Sequence, residues 1–362
     1  MTEIVLYTLI ICFTIQIFYA FIFYARVSFH KNQSINQSFG VSIIICSRNE
    51  EGNLKKFLPR ILKQNYENFE VIVVNDRSWD GTIDYLRNLQ KINKRVKIVN
   101  IPDNGKDHFG KKFAITLGVK AAKNDYLLFT DADCYPINEF WLKEMSSGFI
   151  NKKELVLGAS GYLKEKGFLN KLIRFDTSQI AINYLGFAKS KVPYMGIGRN
   201  LAYLKRTYEK VSGFKSHYHI ESGDDDLFIN QVSNSSNTEI IFNKNSITLS
   251  VPKNNWKSWI RQKRRHHTTN SLYKTKHKIL LIIGYLSTFF YYLSIFFLII
   301  NQKYIFLVLT FFMVRSMLLI GLYYKPFKIL LCKDLLFAIP IYEIILLFCQ
   351  PIFQFKLNNS LK

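Results

Sequence analysis

Apolar residues along this chain occur in two kinds of run, some long and nearly unbroken and others short. Residues 4–25 form a near-continuous apolar run of about 22 residues, which is long enough to cross the hydrocarbon core of a bilayer. A second apolar block covers residues 278–354 and is divided by polar residues at 301–303 and 325–334. The pattern predicts one transmembrane helix before the central region and about three after it.

Between residues 40 and 275, short apolar runs alternate with amphipathic stretches. The short runs are rich in β-branched residues, end in polar turn residues and are typical of buried strands: 41–46, 70–74, 96–101 and 126–130. The stretches between them have helical spacing: 51–64, 81–90 and 111–123. Repeated βα units predict an α/β fold with a mostly parallel central sheet, in which binding loops follow the carboxyl ends of strands. We therefore expect functional residues directly after the four strands.

The charge balance adds a membrane context to this pattern. Lys and Arg number 49 against 26 Asp and Glu, while 49% of the residues are hydrophobic. A chain that is both apolar and strongly basic is typical of a membrane protein whose polar part faces anionic headgroups or anionic substrates. The basic residues lie beside the apolar runs and in one short cluster, so we do not expect nucleic acid as a partner. The five cysteines show no spacing typical of a zinc site, which fits a reducing cytoplasm.

Charges flanking the apolar runs predict the orientation. Glu3 is the only charge before the first run, whereas Arg26, His30 and Lys31 follow it, so the N-terminus is expected outside and residue 30 onward in the cytoplasm. Lysines on the cytoplasmic side of the later spans agree with this orientation: Lys274, Lys276, Lys278, Lys325, Lys328 and Lys333. The expected protein is integral to the cell (inner) membrane, with three parts: an anchor at residues 1–30, a cytoplasmic domain at 40–275 and transmembrane helices at 278–355.

Two charged residues fall inside the predicted spans. Arg315 and Glu343 would each cost at least ~2.5 kcal/mol in the bilayer unless paired or hydrated. They either form a structural pair within the helix bundle or line a path for an amphipathic substrate.

Acidic residues follow three of the predicted strands. Glu50 and Asp76 come directly after the first and second strands, where a carboxylate can hydrogen-bond a ribose hydroxyl or a base edge. Asp80 is better explained as the N-cap of a helix. Asp131 and Asp133 lie one residue apart after the fourth strand and suit a hard divalent cation that bridges a diphosphate, although a role in the turn is the alternative.

Two further segments carry candidate chemistry. Residues 105–112 almost spell a phosphate-binding P-loop, but Lys112 replaces the serine or threonine and no first strand precedes the segment, so only a phosphate contact by Lys111 is expected. Three adjacent acids occupy residues 224–226, and their repulsion predicts a raised pKa in at least one of them. Such an acid suits a general base near neutral pH, and a solvated acidic turn is the alternative.

A basic run at residues 261–267 precedes the second membrane block. It could be a topology signal that contacts anionic headgroups. Gln262 and Arg265, at i and i+3, would share one face of a helix, which a pure charge signal does not need.

In this order, the segments resemble glycosyltransferase family 2, in its membrane-bound branch with the GT-A fold, over about residues 40–270. The resemblance lies in seven segments. They are the first strand with its Asn-Glu turn, an Asp-Asp-x-Ser-like segment, a Gly-Lys-x-x-Ala stretch, the Asp-x-Asp pair, a Gly-x-Asn-x-Ala segment, a Gly-Glu-Asp-like segment and a Gln-x-x-Arg-Trp-like segment: residues 41–51, 73–82, 110–114, 131–133, 198–202, 223–225 and 262–266. Asp224 stands where the family has glutamate, and His266 where it has tryptophan.

The resemblance implies a GT-A nucleotide-sugar-binding domain flanked by transmembrane helices. It implies inverting, metal-dependent transfer of a hexosyl group from a UDP- or GDP-sugar to a hydroxyl of a lipid or lipid-linked acceptor. The residues it assigns are Asp225 or Asp224 as the base; Glu50, Asp76, Lys111 and Asp131 for the nucleotide sugar; Asn200, Gln262 and Arg265 for the acceptor or diphosphate; and Asp133 with Asp131 for Mg²⁺ or Mn²⁺.

Two other functions agree with the same fold. One is a processive polysaccharide synthase, but in those enzymes the position of His266 is a tryptophan of the acceptor-binding group, which favours transfer of a single sugar here. The other is a catalytically inactive sugar-nucleotide-binding membrane scaffold, against which the intact acids at all three sites argue.

Overall fold

The computed structural model describes residues 1–32, 37–103 and 110–354. Its strands are β1 (Val41–Ser47), β2 (Phe69–Asp76), β3 (Val96–Ile101), β4 (Tyr126–Asp131), β5 (Cys134–Pro136), β6 (Leu155–Leu157), β7 (Ser160–Tyr162), β8 (Leu201–Leu204), β9 (Thr238–Ile240) and β10 (Thr248–Ser250). Its helices are α1 (Thr2–Tyr19), α2 (Ala25–Ser28), α3 (Glu51–Leu62), α4 (Thr82–Ile92), α5 (Lys111–Ala121), α6 (Trp141–Ser147), α7 (Phe168–Lys189), α8 (Lys205–Lys210), α9 (Asp226–Val232), α10 (Trp256–His267), α11 (Thr275–Ile300), α12 (Ile305–Ile329) and α13 (Ile339–Gln354).

The chain divides into two compact units. The sheet unit consists of Lys31–Leu163 and Lys191–Pro252, and the helical unit consists of Met1–His30, Lys164–Ser190 and Lys253–Lys362. Residues 164–190 and 253–275, which the sequence pattern assigns to the soluble domain, therefore pack with the apolar helices. The reason lies in α7, whose many buried side chains face other helices of that unit.

Within the described residues, the sheet unit has a seven-stranded sheet of order β3-β2-β1-β4-β8-β6-β9. The pairs β3–β2, β2–β1, β1–β4 and β6–β9 are parallel, whereas β4–β8 and β8–β6 are antiparallel. The mostly parallel sheet expected from the sequence is confirmed. A smaller sheet of order β5-β10-β7 lies in the same unit.

The long strands are buried on both faces, as parallel strands covered by helices require. Every residue of β2 is buried, and alternate residues of β1 and β2 join a core cluster with α3 and α6. On the opposite face α5 packs on β1 and β2, and Gly118 allows the close approach because a Cβ there would lie 2.7 Å from Cγ2 of Ile44. The sheet is thus fixed from both sides, and its carboxyl edge is left for polar loops.

The helical unit contains the apolar runs found in the sequence. Among the described residues, four helical segments are long and apolar enough to cross a membrane: Thr2–Ser28, Thr275–Ile300, Ile305–Ile329 and Lys333–Gln354. The first of them is continued from α1 into α2 by a π-helical turn at Ala20–Tyr24. One candidate span before the sheet unit's first strand and three after its last strand agree with the sequence pattern.

The two charges inside these segments form a pair. Nη1 and Nη2 of Arg315 donate to Oε2 and Oε1 of Glu343 at 2.8 and 3.2 Å, and both side chains are buried. Gln16 on α1 and Tyr292 on α11 complete the cluster by hydrogen bonds to Arg315. Of the two alternatives, the structure shows the mutual pair, which links four helices.

Candidate active site

Strand register brings the polar residues of three loops to one edge of the sheet. In the ladder, Cys46 of β1 pairs with Asp131 of β4, and Ser47 pairs with Asn75 of β2. The loops after β1, β2 and β4 therefore leave the sheet side by side, at its carboxyl edge. The acids that the sequence places after these strands therefore lie along this edge.

Two carboxylates, Asp131 as the last residue of β4 and Asp133 two residues later, form a candidate metal centre. Ligand atoms of Asp131, Asp133 and Cys134 lie within 4.8 Å of one another. Asp131 and Asp133 are partly exposed, whereas Cys134 is buried and its thiol donates to Oδ1 of Asp133 at 3.1 Å. Two carboxylates at this spacing offer the oxygen ligands that Mg²⁺ and Mn²⁺ prefer, so the residues present fit the expected ion.

Lys111, the first residue of α5, joins this centre to the acid triplet. Its ammonium donates to Oδ1 of Asp131 at 2.8 Å and lies 3.1 Å from Oδ2 of Asp224. Burial alone would lower the pKa of Lys111, but the neighbouring carboxylates, Asp131 first among them, raise that pKa well above its usual value. The lysine is therefore charged at neutral pH. The rest of the P-loop-like segment, residues 104–109, lies outside the described residues.

Within the triplet, the structure gives Asp225 the environment expected of a general base. Asp224 and Asp226 are buried, whereas Asp225 is partly exposed as the N-cap of α9. Its carboxylate accepts hydrogen bonds from the backbone N–H groups of Gly198 and Asp226 at 2.7 and 2.8 Å. Burial and the charges of its two neighbours raise the pKa of Asp225 to about 7. The raised pKa predicted for one of the three acids is thereby confirmed.

Glu50 lies three residues beyond the end of β1, and Asp76 is the last residue of β2. Glu50 is partly exposed, and its Oε2 accepts a hydrogen bond from Asn53 at 2.6 Å. Asp76 is buried and accepts a 2.8 Å hydrogen bond from Nε of Arg77, whose φ of 53° lies in the left-handed region. Backbone strain of this kind in a loop at a sheet edge is typical of functional sites.

Asn200, which was expected to bind the acceptor or the diphosphate, has its side chain inside the core. It is 0% exposed, its Nδ2 donates to the carbonyl oxygens of Ala159 and Ser246, and its Oδ1 accepts from Nε1 of Trp141. All the polar atoms of the amide are thus engaged inside the core. The asparagine side chain therefore holds the Gly-x-Asn-x-Ala segment in place by its hydrogen bonds in the core.

Arg199, beside it, is a site residue that the sequence reasoning missed. Its guanidinium lies 4.6 Å from the ring centre of Tyr162 and interacts electrostatically with Asp133 and Asp131. Nη1 of Arg199 is buried and has no hydrogen-bond partner among the described residues. An arginine between Gly198 and Asn200 was the available signal, and only the fold shows that it lies by the metal pair.

Lys112 is the residue that breaks the P-loop pattern in the sequence, so no role was expected for it. In the structure its ammonium is buried and donates to the carbonyl oxygens of His217 and Ile220, each at 2.6 Å. Those two residues precede the acid triplet in the chain. Lys112 therefore holds the segment that leads to Asp224.

Gln262 and Arg265 lie on α10, in the helical unit. Gln262 is partly exposed and Arg265 is exposed. Both fall within Trp256–His267, three residues apart, as the expectation that they share one face of a helix requires.

Comparisons with known proteins show which family and which relatives this chain resembles. The model of Glycosyl transferase family 2 matches residues 42–211. A 4,4'-diaponeurosporenoate glycosyltransferase of Staphylococcus haemolyticus is 32% identical over 127 residues, 35% of this chain and 33% of the relative. A dolichyl N-acetyl-alpha-D-glucosaminyl phosphate 3-beta-D-2,3-diacetamido-2,3-dideoxy-beta-D-glucuronosyltransferase of Methanococcus voltae is 30% identical over 145 residues, 39% and 42% of the two chains. The matched stretches span between 33% and 55% of the length of the relatives considered.

The fold has a counterpart among solved structures. The mannosyltransferase PcManGT from Pyrobaculum calidifontis, solved in complex with GDP-Man and Mn²⁺, superimposes with a TM-score of 0.60 at 16% identity, over 96% of this chain and 99% of that one. At this level of identity the likeness supports the fold alone.

Proposed function

We propose that this chain, which carries a glycosyltransferase family 2 domain at residues 42–211 with the GT-A fold, moves a hexosyl group from a UDP- or GDP-sugar to a hydroxyl of a lipid or lipid-linked acceptor, with inversion. The observation that carries the proposal is the link between two acidic groups. Lys111 contacts Asp131 of the candidate metal pair and Asp224 of the triplet, beside an Asp225 whose pKa is about 7. A base near neutral pH next to a diphosphate-binding centre is what such a transfer requires.

Asp225 would take the proton from the acceptor hydroxyl while the oxygen attacks the anomeric carbon. The new C–O bond forms as the bond from that carbon to the donor diphosphate breaks, and the nucleoside diphosphate leaves with the electron pair. No covalent intermediate is needed. The Lys111 ammonium and the guanidinium of Arg199 would stabilise negative charge on the leaving diphosphate, because both interact with the Asp131–Asp133 pair.

Asp133 and Asp131 would hold the divalent cation. When bound, Mg²⁺ or Mn²⁺ would supply positive charge to the diphosphate. Glu50 and Asp76 would contact the nucleoside from the carboxyl ends of β1 and β2. That PcManGT was solved with GDP-Man and Mn²⁺ supports the choice of donor class and metal.

The acceptor and the orientation belong to the same proposal. Gln262 and Arg265 on α10 would bind the acceptor or the diphosphate, and residues 40–275 would form the cytoplasmic part between the anchor at 1–30 and the helices at 278–355. Four candidate spans and the lysines beside them support an inner-membrane protein. The Methanococcus voltae relative, whose name describes a dolichyl-linked acceptor, supports a lipid-linked one.

The test is to incubate membranes that contain the protein with a panel of labelled UDP- and GDP-sugars and to extract lipids into organic solvent. We expect the label of one donor to enter the organic phase, to stay aqueous with a chelator, and to return when Mn²⁺ or Mg²⁺ is added. Asp133→Asn should stay inactive after metal addition, whereas Asp84→Asn, an exposed acid on α4, should behave like wild type. Transfer that continues in the chelator would disprove the role of the metal.

A further inference from the structure

Lys263 differs from the rest of the basic run on α10 because it is buried. Its side chain is 9% exposed, while Arg261, Arg265 and His266 in the same run are exposed. Its ammonium donates to Oδ2 of Asp176 on α7 at 2.8 Å, and the Asp176 side chain is 6% exposed. A basic run that only contacts lipid headgroups does not require a buried lysine, so this one needs another explanation.

Three helices of the helical unit enclose this ion pair. Asp176 contributes the anion from α7, Lys263 the cation from α10, and the ring of Phe353 on α13 lies 5.5 Å from the ammonium. The same phenylalanine packs edge-on against Trp259, one turn earlier on α10, with ring centres 5.2 Å apart. Removing two charges from water is costly, and removing one partner leaves the other buried and uncompensated. The pair is stable only while α10 keeps its present rotation.

That rotation decides where the neighbouring side chains of α10 point. With 3.6 residues per turn, Gln262 lies about 100° from Lys263 around the helix axis and Arg265 about 200° from it. Fixing Lys263 inward against α7 therefore fixes the directions of both. We propose that Asp176 is a positioning residue that, through Lys263, sets the rotation of α10 and thereby presents Gln262 and Arg265 to the substrates. This inference rests on the proposed function, which gives Gln262 and Arg265 their roles.

The chain offers a matched control on the same helix. Arg174, two residues before Asp176 on α7, donates to Oδ2 and Oδ1 of Asp334 at 3.0 and 2.6 Å. This pair joins α7 to the segment after α12, and its partners are not on α10. Asp334→Asn thus breaks an ion pair of α7 that is just as close, without releasing Lys263.

The kinetic test compares four single variants of the full-length protein in membranes. The KM is measured for the donor and for the lipid extract that serves as acceptor. Gln262→Ala and Arg265→Ala show which of these two KM values depends on the two side chains. Asp176→Asn should raise the same KM about tenfold, with a smaller change in kcat, whereas Asp334→Asn should leave that KM near the wild-type value. The double variant Asp176→Leu/Lys263→Met, which replaces both charges by apolar groups, should recover most of the loss because neither charge is left buried alone.

A second measurement does not depend on activity. In a Trp79→Phe/Trp256→Phe background the two remaining tryptophans, Trp141 and Trp259, are 0% and 2% exposed, and Trp259 reports the packing of α10. Asp176→Asn should make part of this fluorescence quenchable by acrylamide, and Asp334→Asn should not. If the two variants behave alike in both measurements, the inference is wrong. If Gln262→Ala and Arg265→Ala change neither KM, the proposed binding of acceptor or diphosphate by these two residues is wrong. The quenching comparison still decides whether Asp176 holds α10 in place.

Discussion

The three adjacent acids at residues 224–226 look alike in the sequence, but each has a different environment in the structure. Asp224 is buried against the ammonium of Lys111, Asp226 is buried in the first turn of α9, and Asp225 is partly exposed beside Gly198. Repulsion between neighbours was predictable from the sequence. Which of the three acids has the raised pKa was not predictable, because the environment of Asp225 depends on Lys111 and Gly198, which are distant in the chain and come close only in the fold.

The pH dependence of the proposed transfer follows from these contacts. Since Asp225 must be deprotonated to act as the base and its pKa is about 7, log kcat/KM should rise with pH up to about 7 and then level off. Asp225→Asn should lower kcat by about 10² to 10⁴. Asp224→Asn removes a charge that raises the pKa of Asp225, so it should retain activity and shift the rise to lower pH. Loss of activity in Asp224→Asn with a functional Asp225→Asn would exchange their roles.

The same group predicts how stability depends on pH. An unfolded Asp releases its proton near 3.8, whereas folded Asp225 holds it up to about 7. Between these values the folded state binds more protons than the unfolded state, so stability falls as pH rises through this window. Asp225→Asn lacks this loss and should unfold at a higher temperature than wild type at pH 8 in metal-free buffer, with the difference vanishing near pH 4. Equal unfolding temperatures at pH 8 would contradict the raised pKa.

At the scale of elements, long periodic segments were predictable and short ones were not. The strands expected at 41–46, 70–74, 96–101 and 126–130 all exist, each within two residues of its expected ends. Strands of three residues, such as β6 and β9, carry no readable period because they are defined by their partners in the sheet. Most of the site followed from the predicted strands, since β1, β2 and β4 end at it. Arg199 did not, because its position depends on β8, which is antiparallel to β4.

Helix α5 allows a test of how closely it packs on the sheet. In a helix, Gly→Ala usually stabilises by about 0.5–1 kcal/mol. At Gly118 the added Cβ would lie 2.7 Å from a methyl group of Ile44 in the core, so Gly118→Ala should lower the free energy of unfolding by about 1–3 kcal/mol. Gly52→Ala on α3 meets nothing within 4 Å and should not destabilise the protein. Denaturant unfolding of both variants checks the prediction, and a stable Gly118→Ala would mean that α5 can move away from the sheet.

At the scale of the whole molecule, the sequence predicts how the chain is oriented in the membrane. The positive-inside count places residue 30 onward in the cytoplasm, and three crossings after the soluble part would place the residues beyond the last span outside. That second statement assumes that each long apolar helix crosses the bilayer. Length and composition, the criteria that define the four candidates, cannot test it.

The contacts of α13 bear on this assumption. Tyr342, in the first turn of α13, stacks on Phe168 of α7 with ring centres 6.1 Å apart, and the ring of Phe168 lies 6.3 Å from that of Trp256 on α10. The last turn of α13 returns to the same place, because Phe353 lies against Lys263. Both ends of α13 are therefore close to α10, which leads directly into α11.

If α11 and α12 each cross the bilayer, the chain is back on its starting side when α13 begins. A helix with both ends on that side does not cross the bilayer. We therefore predict three crossings in place of the four that length and composition allow, with α13 in one leaflet and Phe348 and Ile352 towards the lipid tails. Reporters fused after Lys31 and after Lys362 should both behave as cytoplasmic. An external signal from the reporter after Lys362 would mean that α13 does cross the membrane. With three membrane crossings, the residues that follow α13 would lie in the cytoplasm, the same compartment as the nucleotide sugar.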